Sequence, residues 1–172
     1  GIPNTTTGQN GEGVYVGTAP EQENQNPTQE PDKSDDNVIH NNVIDTQGAE
    51  CIEMKENSEG NDIAFNRCTG ELPRNQTSGA LTSRGPRNSF HHNVVFGNAG
   101  AGLRVGGDQP GDAVGNDMFE NEVRDNALGG IKVMDAGPHG KVCGNRMSGN
   151  TTGDVVGDFP ESIGDPIAPC RR

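Results

Sequence analysis

The sequence predicts an all-β fold, a right-handed parallel β-helix of about five to six coils. Three observations support this prediction: the composition, an internal repeat, and a set of alternating segments that follow the repeats. The chain has 172 residues, of which 26 are Gly, and only 3% are aromatic. This composition is typical of short strands joined by tight turns, whereas a helical bundle requires far more Ala, Leu and Lys.

Five stretches of the chain repeat one pattern. Each has an apolar residue at its third position, Asn at its sixth, and an apolar or Cys residue at its eighth. The stretches are NVIHNNVI (37–44), NDIAFNRC (61–68), NSFHHNVV (88–95), NDMFENEV (116–123) and GKVCGNRM (140–147). The aligned residues, 24, 27, 28 and 24 positions apart, are Asn42, Asn66, Asn93, Asn121 and Asn145. Such a repeat predicts a solenoid, in which these Asn residues stack as a hydrogen-bonded ladder.

A second set of segments shows apolar residues at every other position. They are GVYVG (13–17), CIEMK (51–55), ALTSR (80–84), GLRVG (102–106) and GIKVM (130–134). Alternation with period two places the apolar residues in the core and the residues between them on the outer face. The first outward column should contain Tyr15, Glu53, Thr82, Arg104 and Lys132. Beside it, Lys55 and Arg84 should be neighbours. By the same alternation, one ring of the pair His91–His92 should point inward and the other outward.

The outward columns are a candidate binding site. Lys55 and Arg84 carry like charges one coil apart, which is unfavourable unless an anion or an acid lies between them. The alternative is that these charged residues only cover a solvated face and offset the charge of Glu53.

Length and charge restrict the class of protein. We expect one domain, with the β-helix over residues 1–157, a long polar loop at 18–36 and a C-terminal tail at 158–172. The formal net charge of −12 argues against nucleic acid as a partner, because a phosphate-binding surface requires clustered Lys and Arg. No stretch is apolar over the roughly 18 residues that a membrane span needs, so no membrane partner is expected.

The cysteines and the glycosylation motifs indicate a secreted protein. None of the four Cys lies in a CxxC pair, so a zinc site is not expected, whereas an even number fits two disulfides. Three N-x-[ST] motifs provide candidate glycosylation sites at Asn4, Asn75 and Asn150.

The pattern NVIHNNVI…GAECIEM resembles the parallel β-helix repeats of the pectate-lyase-like superfamily, from residue 11 to about residue 157. Within it, AECIEMKENS followed by GALTSRGPRNSFHHNVVFGNAGAGLRV resembles the alginate lyase and chondroitinase B family of polysaccharide lyases. That resemblance implies Lys55 as the general base, Arg84 as the residue that holds the substrate, and Glu50 as a calcium ligand. The disulfides expected with this arrangement are Cys51–Cys68 and Cys143–Cys170.

Two functions follow from this interpretation. The first is cleavage of a uronic-acid polymer by β-elimination, in which Arg or Ca²⁺ neutralises the substrate carboxylate. The base, Lys55, must be partly neutral, and a stacked Arg lowers the pKa of such an amine. The residues expected to contact the substrate are Glu53, Thr82, Arg104, Lys132 and Tyr15, with Glu53 also a candidate calcium or orienting group.

The second function is a non-catalytic β-helix that binds an acidic polysaccharide or serves as a structural module, as one part of a larger protein. An open end of a β-helix exposes apolar core and unpaired strand edges. We therefore expect a dimer or a partner segment to cover such an end.

Overall fold

The computed structural model describes residues 11–72 and 78–171. The chain forms a parallel β-helix built from three parallel sheets, here named A, B and C. After a first strand in sheet A, five successive sets of strands pass through sheets B, C and A in that order. The all-β fold class predicted from the sequence is confirmed. The five sets are related by four coil-to-coil steps, so the stack makes about four turns from the first set to the last, slightly fewer than predicted.

The strands are short, and each pairs in parallel with strands one coil away. Sheet A consists of β1 (Val14–Val16), β4 (Ile52–Met54), β7 (Gly79–Ser83), β10 (Ala101–Val105), β13 (Ile131–Val133) and β16 (Val155–Gly157). Sheet B consists of β2 (Val38–His40), β5 (Asp62–Ala64), β8 (Ser89–His91), β11 (Asp117–Phe119) and β14 (Val142–Cys143). Sheet C consists of β3 (Val43–Gly48), β6 (Arg67–Glu71), β9 (Val94–Phe96), β12 (Glu122–Arg124) and β15 (Arg146–Ser148).

The hydrophobic core lies between the three sheets, because alternate side chains of each strand point inward. In sheet A the register aligns Ile52 with Leu81, and Leu81 with Leu103, so the inward residues predicted from the alternation stack on one another. Sheet B contributes Phe90 and sheet C contributes Val95, both fully buried. The core is therefore a continuous column of apolar side chains along the solenoid axis.

Each corner of a coil is formed by a residue with positive φ, followed by an inward-facing Asn or its equivalent. At the corner between sheets B and C, Asn66 donates its Nδ2–H to Oδ1 of Asn93 at 3.1 Å, and Asn93 donates to Asn121 at 3.1 Å. The ladder continues in both directions, from Asn42 to Asn145. The Asn ladder predicted from the repeat is thus present, and it hydrogen-bonds amides that the core buries.

Two further Asn ladders, which were not predicted from the sequence, occupy the other two corners. The ladder between sheets A and B contains Asn37, Asn61, Asn88 and Asn116. The ladder between sheets C and A contains Asn98, Asn126 and Asn150. In the coil before Asn98, Glu71 takes the equivalent position and donates its backbone N–H to Oδ1 of Asn98 at 3.2 Å. Each coil is therefore fixed at three points.

The C-terminal tail folds back over the last coil. A 3₁₀ turn at Pro160–Ile163 places Ile163, which is 7% exposed, against the core. The disulfide Cys143–Cys170, predicted from the sequence, joins β14 to the tail across a sequence separation of 27 residues. The tail thus covers apolar side chains that the last coil would otherwise expose.

The polar loop at 18–36 contains a second 3₁₀ turn, Pro20–Gln25. Asn57, in the turn after β4, donates its Nδ2–H to Glu23 of this loop at 3.0 Å. In the part of the chain that the structure describes, no helix has the length and apolar character that a membrane crossing requires.

The predicted disulfide Cys51–Cys68 is not formed, and both residues are free, fully buried thiols. The two side chains do meet in the core, where a hydrogen bond to Cys68 and burial raise the pKa of the Cys51 thiol. Cys51 also directs its S–H toward the carbonyl oxygen of Thr69 at 3.6 Å. The prediction therefore paired the correct residues but assigned a bond where the structure has two thiols in contact.

The prediction that one ring of the His91–His92 pair points inward is wrong. The inward residue of β8 is Phe90, which is 1% exposed. His91 ends the strand on its outer side, and His92 forms the corner with φ of 56°. The corner rotates the chain, so the strict alternation of the strand does not extend across it.

Candidate binding site on the outer face of sheet A

The register of sheet A brings the first predicted outward column together. The register partners run, one coil at a time, from Tyr15 to Glu53, Thr82, Arg104 and Lys132. Lys55 follows β4 and Arg84 follows β7, and backbone hydrogen bonds hold these two segments in the same register. All eight predicted residues, including Glu50, are therefore placed on or beside one sheet.

Glu53 is the centre of an ion-pair cluster. Its Oε1 accepts hydrogen bonds from Nζ of Lys55 and from Nε of Arg84, both at 3.0 Å. Arg84 also contacts Glu56 at 3.1 Å and Asp108 at 2.6 Å through Nη1. Glu53 is only 4% exposed, so this is a buried cluster, in which an unpaired charge would be costly. The acid expected between Lys55 and Arg84 is Glu53 itself.

The ion pair determines the protonation of Lys55. Burial alone lowers the pKa of this amine, but the Glu53 carboxylate raises it more, and the resulting pKa lies above the usual value. Arg84 acts in the lowering direction and does not reverse the shift. Lys55 is therefore an ammonium group at neutral pH, with its Nζ 5.0 Å from the ring centre of Tyr15. A protonated amine cannot accept a proton from a substrate.

A Gly residue allows the two coils to approach each other at this cluster. A Cβ atom at position 85 would collide with the carbonyl oxygens of Ser58 and Lys55. A side chain at this position would therefore push apart the segments that carry Lys55 and Arg84. Gly85 is thus required by the close contact between the coils.

Arg104 and Lys132 form the basic part of the face. They are register partners on adjacent strands. Burial lowers the pKa of both side chains. The charge of Arg84 further lowers the pKa of Arg104, and the charge of Arg104 further lowers that of Lys132. Nη1 of Arg104 is buried, and no acceptor for it exists among the described residues. Arg104 as a whole is partly exposed. Stacked like charges of this kind favour binding of an anion.

An acidic group lies at the edge of the same face. Carboxylate oxygens of Glu12, Glu50 and Glu53 lie within 4.8 Å of one another, close enough to share one cation. Burial and the charge of Glu53 raise the pKa of Glu50. Burial and the charge of Glu50 raise the pKa of Glu71 to about 8. Ser78 donates its hydroxyl to Glu50. Oxygen ligands of this type suit Ca²⁺.

Glu12 and Glu71 were not predicted from the sequence. The spacing of the sequence identifies Glu71 as the equivalent of Asn98, because Glu71 follows Asn66 by five residues, as Asn98 follows Asn93. Glu12 lies outside the alternating segments, so no spacing rule identifies it. Its position depends on the chain segment that leads into β1.

Two predicted residues, Thr82 and Asn150, have surroundings that restrict their roles, whereas Tyr15 does not. Thr82 is fully buried and donates its hydroxyl to the carbonyl oxygen of Gly79 at 2.7 Å, so it offers no surface to a ligand. The Nδ2 of Asn150, which glycosylation would modify, donates to the carbonyl oxygen of Val123 at 3.0 Å. Tyr15 is 41% exposed and remains accessible. The other two candidate glycosylation sites, Asn4 and Asn75, lie outside the described residues.

The fold and the site define a parallel β-helix with a buried, Glu-centred ion-pair cluster on one outer face. The fold is consistent with that of the pectate-lyase-like superfamily. Comparisons of the chain with protein-family models, with curated proteins and with solved structures find no match.

Proposed function

We propose that the protein is a secreted, non-catalytic β-helix that binds an acidic polysaccharide along the outer face of sheet A. The observation that carries this proposal is the pair Arg104–Lys132, in which two basic side chains are register partners one coil apart, and the pKa of Lys132 is lowered by burial and by the charge of Arg104. A carboxylate of the polymer would accept a hydrogen bond from Arg104 and would reduce the repulsion between the two cations.

The ion pairs of Glu53 make the non-catalytic function preferable to β-elimination. A lyase that uses Lys55 as its base needs the neutral amine, whereas the Glu53 carboxylate raises the pKa of Lys55. Arg84 already has three carboxylate partners, namely Glu53, Glu56 and Asp108. In this state neither Lys55 nor Arg84 is set up for the role that the family resemblance implies.

The acidic group at the edge of the face suggests how a negatively charged protein holds a polyanion. Ca²⁺ between Glu12, Glu50 and Glu53 would offset their charges and would offer its remaining positions to carboxylates of the polymer. The proposal therefore includes calcium as a cofactor of binding. The Cys143–Cys170 disulfide supports the secreted location, because disulfides persist in oxidising compartments.

Titration calorimetry with alginate, pectate, glucuronan and chondroitin, each with calcium and with a chelator, tests the proposal. We expect one polymer to bind, and Arg104→Gln to weaken its binding by about 10- to 100-fold, because a charge-assisted hydrogen bond is lost. Arg146→Gln is the matched control, since this arginine is 79% exposed in sheet C. Equal affinity of Arg104→Gln and the wild type would refute the proposal.

The same samples test the catalytic alternative. The unsaturated uronate product of β-elimination absorbs ultraviolet light. A non-catalytic protein therefore gives a flat absorbance trace with every polymer. A rise in absorbance that the Lys55→Ala substitution abolishes would instead establish a lyase with Lys55 as its base.

A further inference from the structure

The corner between sheets B and C carries side chains where glycine is easiest to accommodate. Its positive-φ positions are occupied by Asn41, Phe65, His92, Glu120 and Gly144. A bulky residue is less favourable than Gly in this left-handed conformation. At the corner between sheets C and A, the equivalent positions are occupied by Gly70, Gly97, Asp125 and Gly149. The B–C corner therefore retains Phe and His side chains at the expense of backbone strain.

His91 and His92 lie against each other at this corner, and a carboxylate holds each ring. Nε2 of His91 lies 2.8 Å from Asp62, and Nε2 of His92 lies 2.9 Å from Glu120. The Nδ1 atoms of the two rings face each other at 2.8 Å. Four side chains thus form a chain of contacts from carboxylate to imidazole to imidazole to carboxylate.

The hydrogen-bonding capacity of these groups determines what can lie between the rings. An ionised carboxylate only accepts hydrogen bonds, so Nε2 carries the proton in both histidines. Each Nδ1 of a neutral ring then presents a lone pair 2.8 Å from the other Nδ1. Two lone pairs at this distance repel, unless one proton or one metal cation binds both. A carboxylate on the far nitrogen is also the arrangement that orients histidine ligands in metal sites.

The distance between the Nδ1 atoms indicates a type of metal. Two nitrogen ligands at about 2.0 Å from a metal are about 2.8 Å apart when the angle at the metal is 90°, and about 3.3 Å apart in a tetrahedron. The observed 2.8 Å matches adjacent positions of a square-planar or tetragonal centre. Cu²⁺ and Ni²⁺ favour that geometry with nitrogen and oxygen ligands.

Aromatic rings on both sides fix the planes of the two imidazoles. His91 stacks on Phe119 with ring centres 4.8 Å apart and an angle of 11° between the planes. His92 stacks on Phe65 at 4.8 Å and 24°. The two imidazole planes are themselves nearly perpendicular, at 83°. The rings are therefore held in the paired orientation by packing as well as by the carboxylates.

We propose that His91 and His92 form a site for one Cu²⁺ or Ni²⁺ ion, bound by the two Nδ1 atoms, with Asp62 and Glu120 as positioning residues. The metal binds the Nδ1 lone pair of each ring, so neither Nδ1 carries a proton in the complex. Solvent supplies the remaining ligands, since the side chain of His92 is 39% exposed and a groove of about 500 Å³ runs beside His92 and Glu120. This site is separate from the outer face of sheet A and does not depend on the proposed polysaccharide binding.

Isothermal titration of the tag-free full chain with CuCl₂ and with NiCl₂ tests this proposal. We expect one equivalent of metal to bind, and His91→Gln or His92→Gln to weaken binding at least tenfold. Asp62→Asn and Glu120→Gln should each weaken it by about 10- to 100-fold through loss of ring orientation. The matched controls are His40→Gln and His139→Gln, which change the other two histidines and should bind metal as the wild type does. Far-ultraviolet circular dichroism checks that each variant is folded.

Electron paramagnetic resonance of the one-to-one Cu²⁺ complex provides an independent measurement. Coupling to two imidazole nitrogens is expected, and it should fall to one nitrogen in either single His variant. The proposal is overturned if no metal binds, if His91→Gln binds Cu²⁺ as the wild type does, or if the spectrum shows oxygen ligands alone. Loss of binding in Glu50→Gln, with His91→Gln unaffected, would place the metal in the acidic group of sheet A instead.

Discussion

The two ends of the described solenoid differ in how the Asn ladder at the B–C corner terminates. At the C-terminal end, the backbone N–H and the Nδ2–H of Asn145 both donate to the carbonyl oxygen of Pro166, at 3.0 and 3.1 Å. At the N-terminal end, Asn42 donates to Asn66, and its side chain is exposed. The C-terminal end therefore has a partner supplied by the tail, whereas Asn42 is open to solvent.

The direction of the ladder explains this difference. Every Asn donates toward the next coil, so the last member needs an acceptor and the first member keeps an unused acceptor. An unsatisfied buried N–H group is rarer in proteins than an under-satisfied carbonyl oxygen. The tail provides the acceptor that the chemistry demands at one end, and water suffices for the exposed oxygen at the other. The ends thus differ because donors and acceptors differ in what their burial costs.

The largest effect that we predict distinguishes an interior ladder residue from a terminal one. Asn93→Ala should lower the free energy of unfolding by about 3–5 kcal/mol, because Asn93 is fully buried and bonds to both neighbouring coils. Asn42→Ala should lower it by about 1 kcal/mol, because water replaces the lost hydrogen bonds. Urea denaturation of both variants measures the difference, and equal losses would contradict the solvated end described above.

The second prediction concerns the tail. Cys143→Ser should lower the free energy of unfolding by about 2–4 kcal/mol, because it opens a loop closed across 27 residues. Cys68→Ser is a control that changes a thiol without removing a disulfide. If dithiothreitol leaves the unfolding midpoint of the wild type unchanged, the disulfide does not hold the C-terminal end.

The third prediction uses Glu71, the ladder member that replaces Asn near the N-terminal end. Its folded pKa of about 8 is above the usual value for Glu, so the folded state binds the proton more tightly than the unfolded state. The contribution of Glu71 to the free energy of unfolding is largest below about pH 4.5. It falls as the pH rises to about 8 and is constant above that pH. The total decrease should be roughly 1–3 kcal/mol.

Glu71→Gln removes the titrating group and tests this interpretation. Unfolding curves from pH 5 to pH 9 should be flatter for the variant than for the wild type. Glu21→Gln is a control at an exposed carboxylate of the polar loop and should leave the pH profile unchanged. Parallel profiles for Glu71→Gln and the wild type would show that Glu71 does not titrate in this range.

The smallest expected effect on stability is that of a substitution in β3, the outermost strand of sheet C at the N-terminal end. Val43 is 81% exposed on β3, so Val43→Lys should change the free energy of unfolding by no more than about 0.5 kcal/mol. A Lys on an edge strand opposes pairing with another chain. If a dimer covers this end, as we expect, sedimentation velocity should show a dimer that Val43→Lys converts to monomer. A monomeric wild type would contradict the expected dimer.

The sequence was sufficient for features that depend on periodicity. The stacking of Ile52, Leu81 and Leu103 follows from an alternation that all the coils share, and so does the ladder through Asn93. Features at the corners could not be obtained in this way. The positive φ of His92 ends the alternation, and spacing alone does not identify such a corner residue.

The chemistry of the candidate site was even less accessible from the sequence. The columns containing Lys55 and Arg84 were placed by register, but the sign of the pKa shift of Lys55 depends on where the Glu53 carboxylate lies. That position depends on a 3.0 Å contact to each of the two cations.

The three ladders make the length of the protein adjustable in whole coils. Residues 88–115 contain one Asn for each corner and one strand for each sheet, and their contacts reach mainly the coils on either side. An in-frame duplication of this segment would lengthen the axis by about 4.8 Å and would leave both ends unchanged. A gene encoding this chain can therefore gain or lose coils by unequal recombination, because an added coil makes the same contacts with its neighbours as the existing coils do.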